Sequence, residues 1–403
     1  MRRLETIKPY VLVGTGLFLL SCLLSLRIPH IARQTLDIWF GADVPRVVAD
    51  MTSPLADHWR TIVHPIFPLI FLPIGGLLVK LTSSQGIAAQ ILISLSAATA
   101  GILLFATTQN LGIKPIDSWL LIGAFASSSA FIFWWSIPET FPIGSLTILI
   151  PFFLLSRQEH RLKVWSLALA ASLAITTTNI SAGIVAVAFS KQRQNFLKIS
   201  FFALLLIVAL SFLQKSYLPS ANYFFAHSVA RERHFVPTST DPRGSLPGRA
   251  LDFAVYTGIV PGKPIRIDHP STTNPAMFYP YTLKIFNGFR SIPAICWMAL
   301  ISIGSIELLR NFQLNFVKAL VFFLLMQFVL HMWYGDQPFL YSAHFLPEFV
   351  LLIGLGFRST TPRVLLILAR TCVVGFIFSA FPLNLYSLLN AAKFALSFSS
   401  NLQ

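Results

Sequence analysis

Eleven apolar stretches, at about 9–26, 62–79, 87–107, 119–135, 143–155, 164–190, 199–213, 292–309, 319–333, 345–357 and 364–381, divide this 403-residue chain. They are long enough to be helices, and only 11% of the residues are charged, against roughly 25% in soluble domains. The expected fold class is therefore all-α, a polytopic membrane protein with about 10–12 transmembrane helices. Several runs fall short of the roughly 20 residues a straight span needs. Breaks are expected at Gly75-Gly76, at Pro138 and Pro142, and at the polar tract Thr176-Thr177-Thr178-Asn179. Broken helices at membrane depth border a protein-lined or wet cavity.

The first run follows Arg2-Arg3 and is expected to stay as a helix with its basic end in the cytoplasm, since no small-x-small cleavage site follows it. Cys22, Cys296 and Cys372 each lie in an apolar run without CxxC spacing, which argues against a disulfide framework and a cysteine metal site. A net charge of +15 points to anionic lipid or lipid phosphate, and a mostly lipid-embedded chain excludes nucleic acid as a partner.

Basic residues cluster in short connections: Arg157, Arg161 and Lys163; Lys191, Arg193 and Lys198; Arg310 and Lys318; Arg358 and Arg363. All read as cytoplasmic, which leaves two long polar stretches on the other face, 27–61 and about 214–291. For 157–163 and 191–198 to share a side, 164–190 must enter and return with its tip at Thr178-Asn179. Parity then requires that one of the four runs between 62 and 155 does not cross. The resulting division is 1–213, with the outer loop 27–61; a large outer loop, 214–291; and C-terminal helices, 292–403. Trp119, Trp134, Trp135, Trp165 and Trp333 near run ends read as interface anchors.

Four of the fifteen acidic residues, Asp37, Asp43, Asp50 and Asp57, fall in the first outer loop, which also carries Arg46 and Arg60 and runs into His64-Pro65-Ile66-Phe67-Pro68. Carboxylates beside cations at a membrane surface suit a general base working next to a departing phosphate; they equally suit a soluble, helix-capped loop. The second outer loop carries nine basic residues against four acids, densest at Arg231-Glu232-Arg233, and reads as an anion-facing surface. A third cluster, His331 to Glu348, contributes Tyr341 and His344 as a substrate-facing wall. Its ligand spacing is not that of a metal site. Glu139, between Pro138 and Pro142, stands at the mouth of a broken helix, and Arg370 is the one cation deep in the last apolar run.

An acidic residue in the first outer loop followed by a helix that opens on His-Pro resembles the GT-C glycosyltransferases, which include protein O-mannosyltransferases and lipid A aminoarabinose transferases. The matching positions are Asp43 and His64-Pro65-Ile66-Phe67, with Ile66 where relatives carry a second proline. Pro138-Glu139 and the hairpin ending at Asn179 extend the resemblance over roughly residues 1–200. It implies transfer of a sugar from a polyprenyl-phosphate carrier to a glycan, lipid or protein acceptor on the outer membrane face, with inversion. Asp43 would be the base, with Asp37 and Asp50 as alternative carboxylates. Arg46, Arg60, His64, Arg231, Arg233, Tyr341 and His344 would hold the donor phosphate, and Glu139 and Asn179 would touch substrate. The resemblance fixes no cofactor and leaves a divalent cation open. The expected location is a bacterial inner membrane. The competing readings are an O-antigen ligase or polymerase, which would depend on the second loop, and a flippase or transporter, which would carry its charges at mid-membrane.

Overall fold

A computed structural model describes residues 2–29, 39–226, 236, 245–267, 276–335 and 337–399. Among them, seven helices are long and apolar enough to cross a membrane, the pattern of a multi-pass membrane protein. The two large helical portions share one buried core.

Helix α1 (Arg2–Leu26) packs antiparallel on α4 (Gln85–Asn110). Tyr10 meets Phe105 edge-on at 5.5 Å, and the Ser21 and Ser94 hydroxyls lie 2.9 Å apart. The helix between α2 (Val44–Thr52) and α4 is α3 (Phe67–Thr82), joined to α4 by a turn at Ser83, φ 55°. Because α4 begins where α1 finishes, α3 has both of its ends toward that side of the bundle. It is the run that does not cross, and parity is met. Three passes then separate the first loop from Arg157: α4; the interrupted pair α5 (Pro115–Ser127) and α6 (Ser129–Trp134); and α7 (Thr140–Ser156). Asn384 satisfies the interruption, its side-chain N–H groups donating to the carbonyls of Ser127 and Gly258 at 2.9 Å each. This is the compensation a broken backbone in lipid demands.

Helices α8 (Leu162–Ile175) and α9 (Ile180–Ala188) form the expected hairpin, with a tip at 176–179. Then come α10 (Phe196–Tyr217); a short α11 (Leu246–Leu251) running into a π-helical turn, Asp252–Tyr256; a small antiparallel pair, β1 (Ile265–Ile267) and β2 (Ala276–Phe278); and α12 (Ser291–Arg310), α13 (Asn315–Trp333), α14 (Ser342–Leu355) and α15 (Arg363–Ser399). The basic connections gather at one end. Arg358 donates to the carbonyl of Leu111 and to Asn311, Gln192 donates to the carbonyl of His160, and Asn110 donates to Ser156. Arg370, expected deep in the last run, lies near the start of α15 with its side chain 38% exposed and forms a two-pronged ion pair with Asp117, 2.8 Å in each arm. Trp134, Trp135 and Trp165 are not interface anchors; they are fully buried in helix packing, whereas Trp333 is exposed.

The turns of α2 and α3 meet at Gly75, where an added Cβ would lie 1.9 Å from the backbone oxygen of Met51; at Gly76 it would meet nothing. Gly75→Ala must therefore push α2 off α3, an overpacking cost of about 1–3 kcal/mol. A lowered thermal midpoint for purified Gly75→Ala, with Gly76→Ala unchanged, is the expected result.

Candidate functional site

Helix α2 is amphipathic. Val44, Val47, Val48 and Met51 are buried, while Asp43, Arg46 and Asp50 follow one another at helical spacing. The Arg46 guanidinium lies between the two carboxylates: its Nε and Nη2 reach Asp43 Oδ2 at 3.1 and 3.0 Å, and its Nη1 reaches Asp50 Oδ2 at 2.8 Å. Asp50 Oδ1 is held by His58 Nδ1 at 2.7 Å. Asp50 is therefore spent on structure and buried, which removes it as an alternative base. Among the described residues the side-chain contacts of Asp43 are made through Oδ2, and the side chain is 42% exposed, leaving Oδ1 open to the cavity. Arg60 stands with Nε 3.9 Å from the same Oδ2, past hydrogen-bonding range.

Glu139, which precedes α7, receives the Asp43 N–H at 3.1 Å on Oε2 and the Thr140 N–H and O–H at 2.8 Å each on Oε1. It joins the first loop to the fourth pass. Burial pushes its carboxyl up to about 7, with the Arg46 charge opposing and Asp43 adding to the shift. His64 Nδ1 donates to the carbonyl of Ile175 at 2.7 Å. Since a carbonyl only accepts, that contact places the ring proton on Nδ1. Burial, and then the charges of Arg46 and Arg60, hold this imidazole well below its usual range. His64 is thus neutral with a lone pair on Nε2. In this form it can accept a hydroxyl proton at Nε2.

These side chains line one cavity of about 290 Å³ together with the tip of the α8–α9 hairpin, the last turn of α13 and the first of α14. The tip is docked to the first loop by backbone bonds, Ile66 N–H to Ala174 O at 3.1 Å and Thr177 N–H to Val63 O at 3.0 Å. The far wall is aromatic. The Tyr341 and His331 rings stack at 4.7 Å, and Phe141 meets both Tyr341 and His344 edge-on at 5.3 Å.

Of the residues expected from sequence, Asp43, Arg46, Arg60, His64, Glu139, Tyr341 and His344 share this cavity. Asn179 lies behind it, buried, donating to the carbonyl of Gly144 at 3.2 Å, so it supports the hairpin rather than touching substrate. Asp37, Arg231 and Arg233 lie outside the described residues. Among the described residues no three His, Cys, Asp or Glu side chains converge as a metal-binding set. Phe141 was not legible as a lining residue, because nothing in its local sequence distinguishes it from neighbours that pack elsewhere. No family model, curated protein or solved structure matches the chain.

Glu139 accepts its three donors most strongly when ionised, so the cavity is best formed above the pH at which it loses its proton. Whatever turnover the site supports is expected to rise with pH through an apparent midpoint near 7. Glu139→Gln, one acceptor short, should lower that turnover and remove the limb. A wild-type pH–rate profile with no step there would refute the assignment.

Proposed function

We propose that this chain is an integral membrane glycosyltransferase of GT-C type that moves a single sugar from a polyprenyl-phosphate carrier to an acceptor hydroxyl, with inversion and with Asp43 as general base. The observation that carries the reading is Asp43 itself: one carboxylate oxygen ion-paired, the other open, at the edge of a cavity that also holds Arg46 and Arg60. In this reading the acceptor hydroxyl donates its proton to Asp43 Oδ1, within the cavity that His64 also lines. Its oxygen attacks the anomeric carbon as the carbon–phosphate-oxygen bond breaks, the proton passes to Asp43, and the electron pair leaves on the phosphate. Arg60, which lines the same cavity beside Asp43, supplies charge to that leaving group. The aromatic wall offers ring faces against which an uncharged sugar can pack.

Cavity size favours this reading over an O-antigen ligase, since about 290 Å³ is at the lower edge of the ~300–1,000 Å³ of small-molecule sites and suits one sugar with its phosphate. Against transport stands the placement of charge. The Asp117–Arg370 pair lies toward the basic end and away from the cavity, and no facing set of mid-membrane charges is seen among the described residues. Basic connections opposite the cavity orient it to the outer face of the cell membrane, with the N-terminus inside.

The test is turnover of labelled polyprenyl-phosphate sugars by purified protein. Asp43→Asn should lower kcat by about 10²–10⁴, the usual worth of a general base, while the purified variant keeps a cooperative thermal transition, since the amide oxygen can still accept from Arg46. Arg60→Met should raise the donor KM. Undiminished transfer by Asp43→Asn would sink the proposal.

A further inference from the structure

We propose that Arg249 and Asp252 are positioning residues that lock the aromatic wall of the cavity in place, Arg249 by holding the end of α13 and Asp252 by holding the start of the segment that leads into α14. The second long polar stretch, to which both belong, read from sequence as an anion-facing surface. Arg249 does not face solvent; it is 1% exposed. Its Nε and Nη2 donate to the carbonyl of His331 at 3.0 and 2.6 Å, and Nη2 also reaches the carbonyls of Tyr334 and Gly335 at 3.2 and 3.0 Å. These are carbonyls at the end of a helix, which lack intrahelical donors and carry the negative end of the helix dipole. A buried guanidinium is well matched to them. Three residues on, Asp252 Oδ2 accepts the N–H of Phe339 at 3.1 Å, at the opening of the 3₁₀ turn Pro338–Tyr341 that feeds α14. There the free backbone groups are donors, and the Asp252 oxygen supplies the complementary acceptor.

The two residues therefore hold the two ends of one short connection, 334–341, Arg249 as donor to carbonyls at the end of α13 and Asp252 as acceptor at the opening of the 3₁₀ turn. Between them, Gly335 takes φ +90°, and a Cβ there would lie 2.3 Å from the Tyr341 ring, so the chain folds tightly back on that ring. Gln337 adds a third tie, exchanging two hydrogen bonds with the backbone of Tyr279 at 2.9 and 3.2 Å. The cavity residues His331, Tyr334, Tyr341 and His344 all sit on this connection or within three residues of it. Arg249, Asp252 and Tyr279 of the second outer loop frame them together with Trp134, whose indole N–H donates to the Phe339 carbonyl at 2.8 Å, whereas Asp43, Arg46 and Arg60 come from the first loop.

The clamp rests on contacts present whatever the chemistry; only its kinetic consequence rests on the glycosyltransferase reading. Hydrogen exchange on the full-length purified protein tests the clamp directly. Arg249→Met should raise exchange of amides in 331–341 by about tenfold or more, while peptides from α4 and α7 keep wild-type rates. Asp252→Asn retains an acceptor for Phe339 N–H and should stay near wild type, whereas Asp252→Leu should loosen 338–341. Unchanged exchange in Arg249→Met, or a rise of equal size throughout the protein, overturns the proposal. If Arg249→Met does not fold, Arg249→Lys, which cannot span the same three carbonyls, is read by the same criteria. In the transfer assay, a displaced wall should cost Arg249→Lys about tenfold or more in kcat, with the donor KM within about threefold, because the phosphate is held by the other loop. A KM effect without a kcat effect overturns it. Absence of transfer by the wild type would instead remove the functional reading and leave the exchange result to decide the clamp.

Discussion

The site depends on the guanidinium of Arg46 held between Asp43 and Asp50. A buried cation with two carboxylates is tolerable only when each charge is hydrogen-bonded, and removing one partner from such a set costs about 3–5 kcal/mol because the remainder is left unpaired. Here the set is completed by His58 behind Asp50 and is joined to α7 because Glu139 accepts the backbone N–H of Asp43. Ionic pairing thus does the positioning that a rigid core would do elsewhere. It orients the first loop against the fourth pass and leaves one oxygen of Asp43 facing the cavity.

The two walls of the cavity follow different physics. The first-loop wall is charged and held by ion pairs; the opposite wall is neutral and aromatic and is held by backbone carbonyls and N–H groups at helix ends. The hairpin tip at 176–179 sits between them, its polar backbone matched to the first loop by Ile66 and Thr177. A broken helix is stable at this depth because each interrupted backbone group has a protein partner. The same rule accounts for the α5–α6 interruption, where Asn384 from α15 supplies the missing donors.

Much of this was legible in the sequence. Apolar runs marked the helices, clusters of Arg and Lys marked the end at which the short connections gather, and the polar tract 176–179 marked the hairpin tip. Parity required one incomplete run, but hydropathy could not say which: α3 is as apolar as its neighbours, and only the antiparallel contact of α1 with α4 shows that it does not cross. In the site, the type and spacing of Asp43, Arg46 and Arg60 were enough to single them out. The tautomer of His64 was not legible, because the direction of its hydrogen bond depends on the Ile175 carbonyl, 111 residues away. Asp50 and Asp43 look alike in sequence; burial against His58 separates them.

The sequence alone determined that this chain is helical and membrane-spanning, where its basic end lies and that chemistry-bearing residues concentrate in three polar stretches, because these properties depend on local hydropathy and charge. The tertiary structure decided that the first and third stretches share a cavity, that Arg249 holds a helix end rather than facing an anion, and which carboxylate stays open. Those outcomes depend on partners distant in the chain, with each buried polar group satisfied by whichever complementary group the packing brings within about 3 Å.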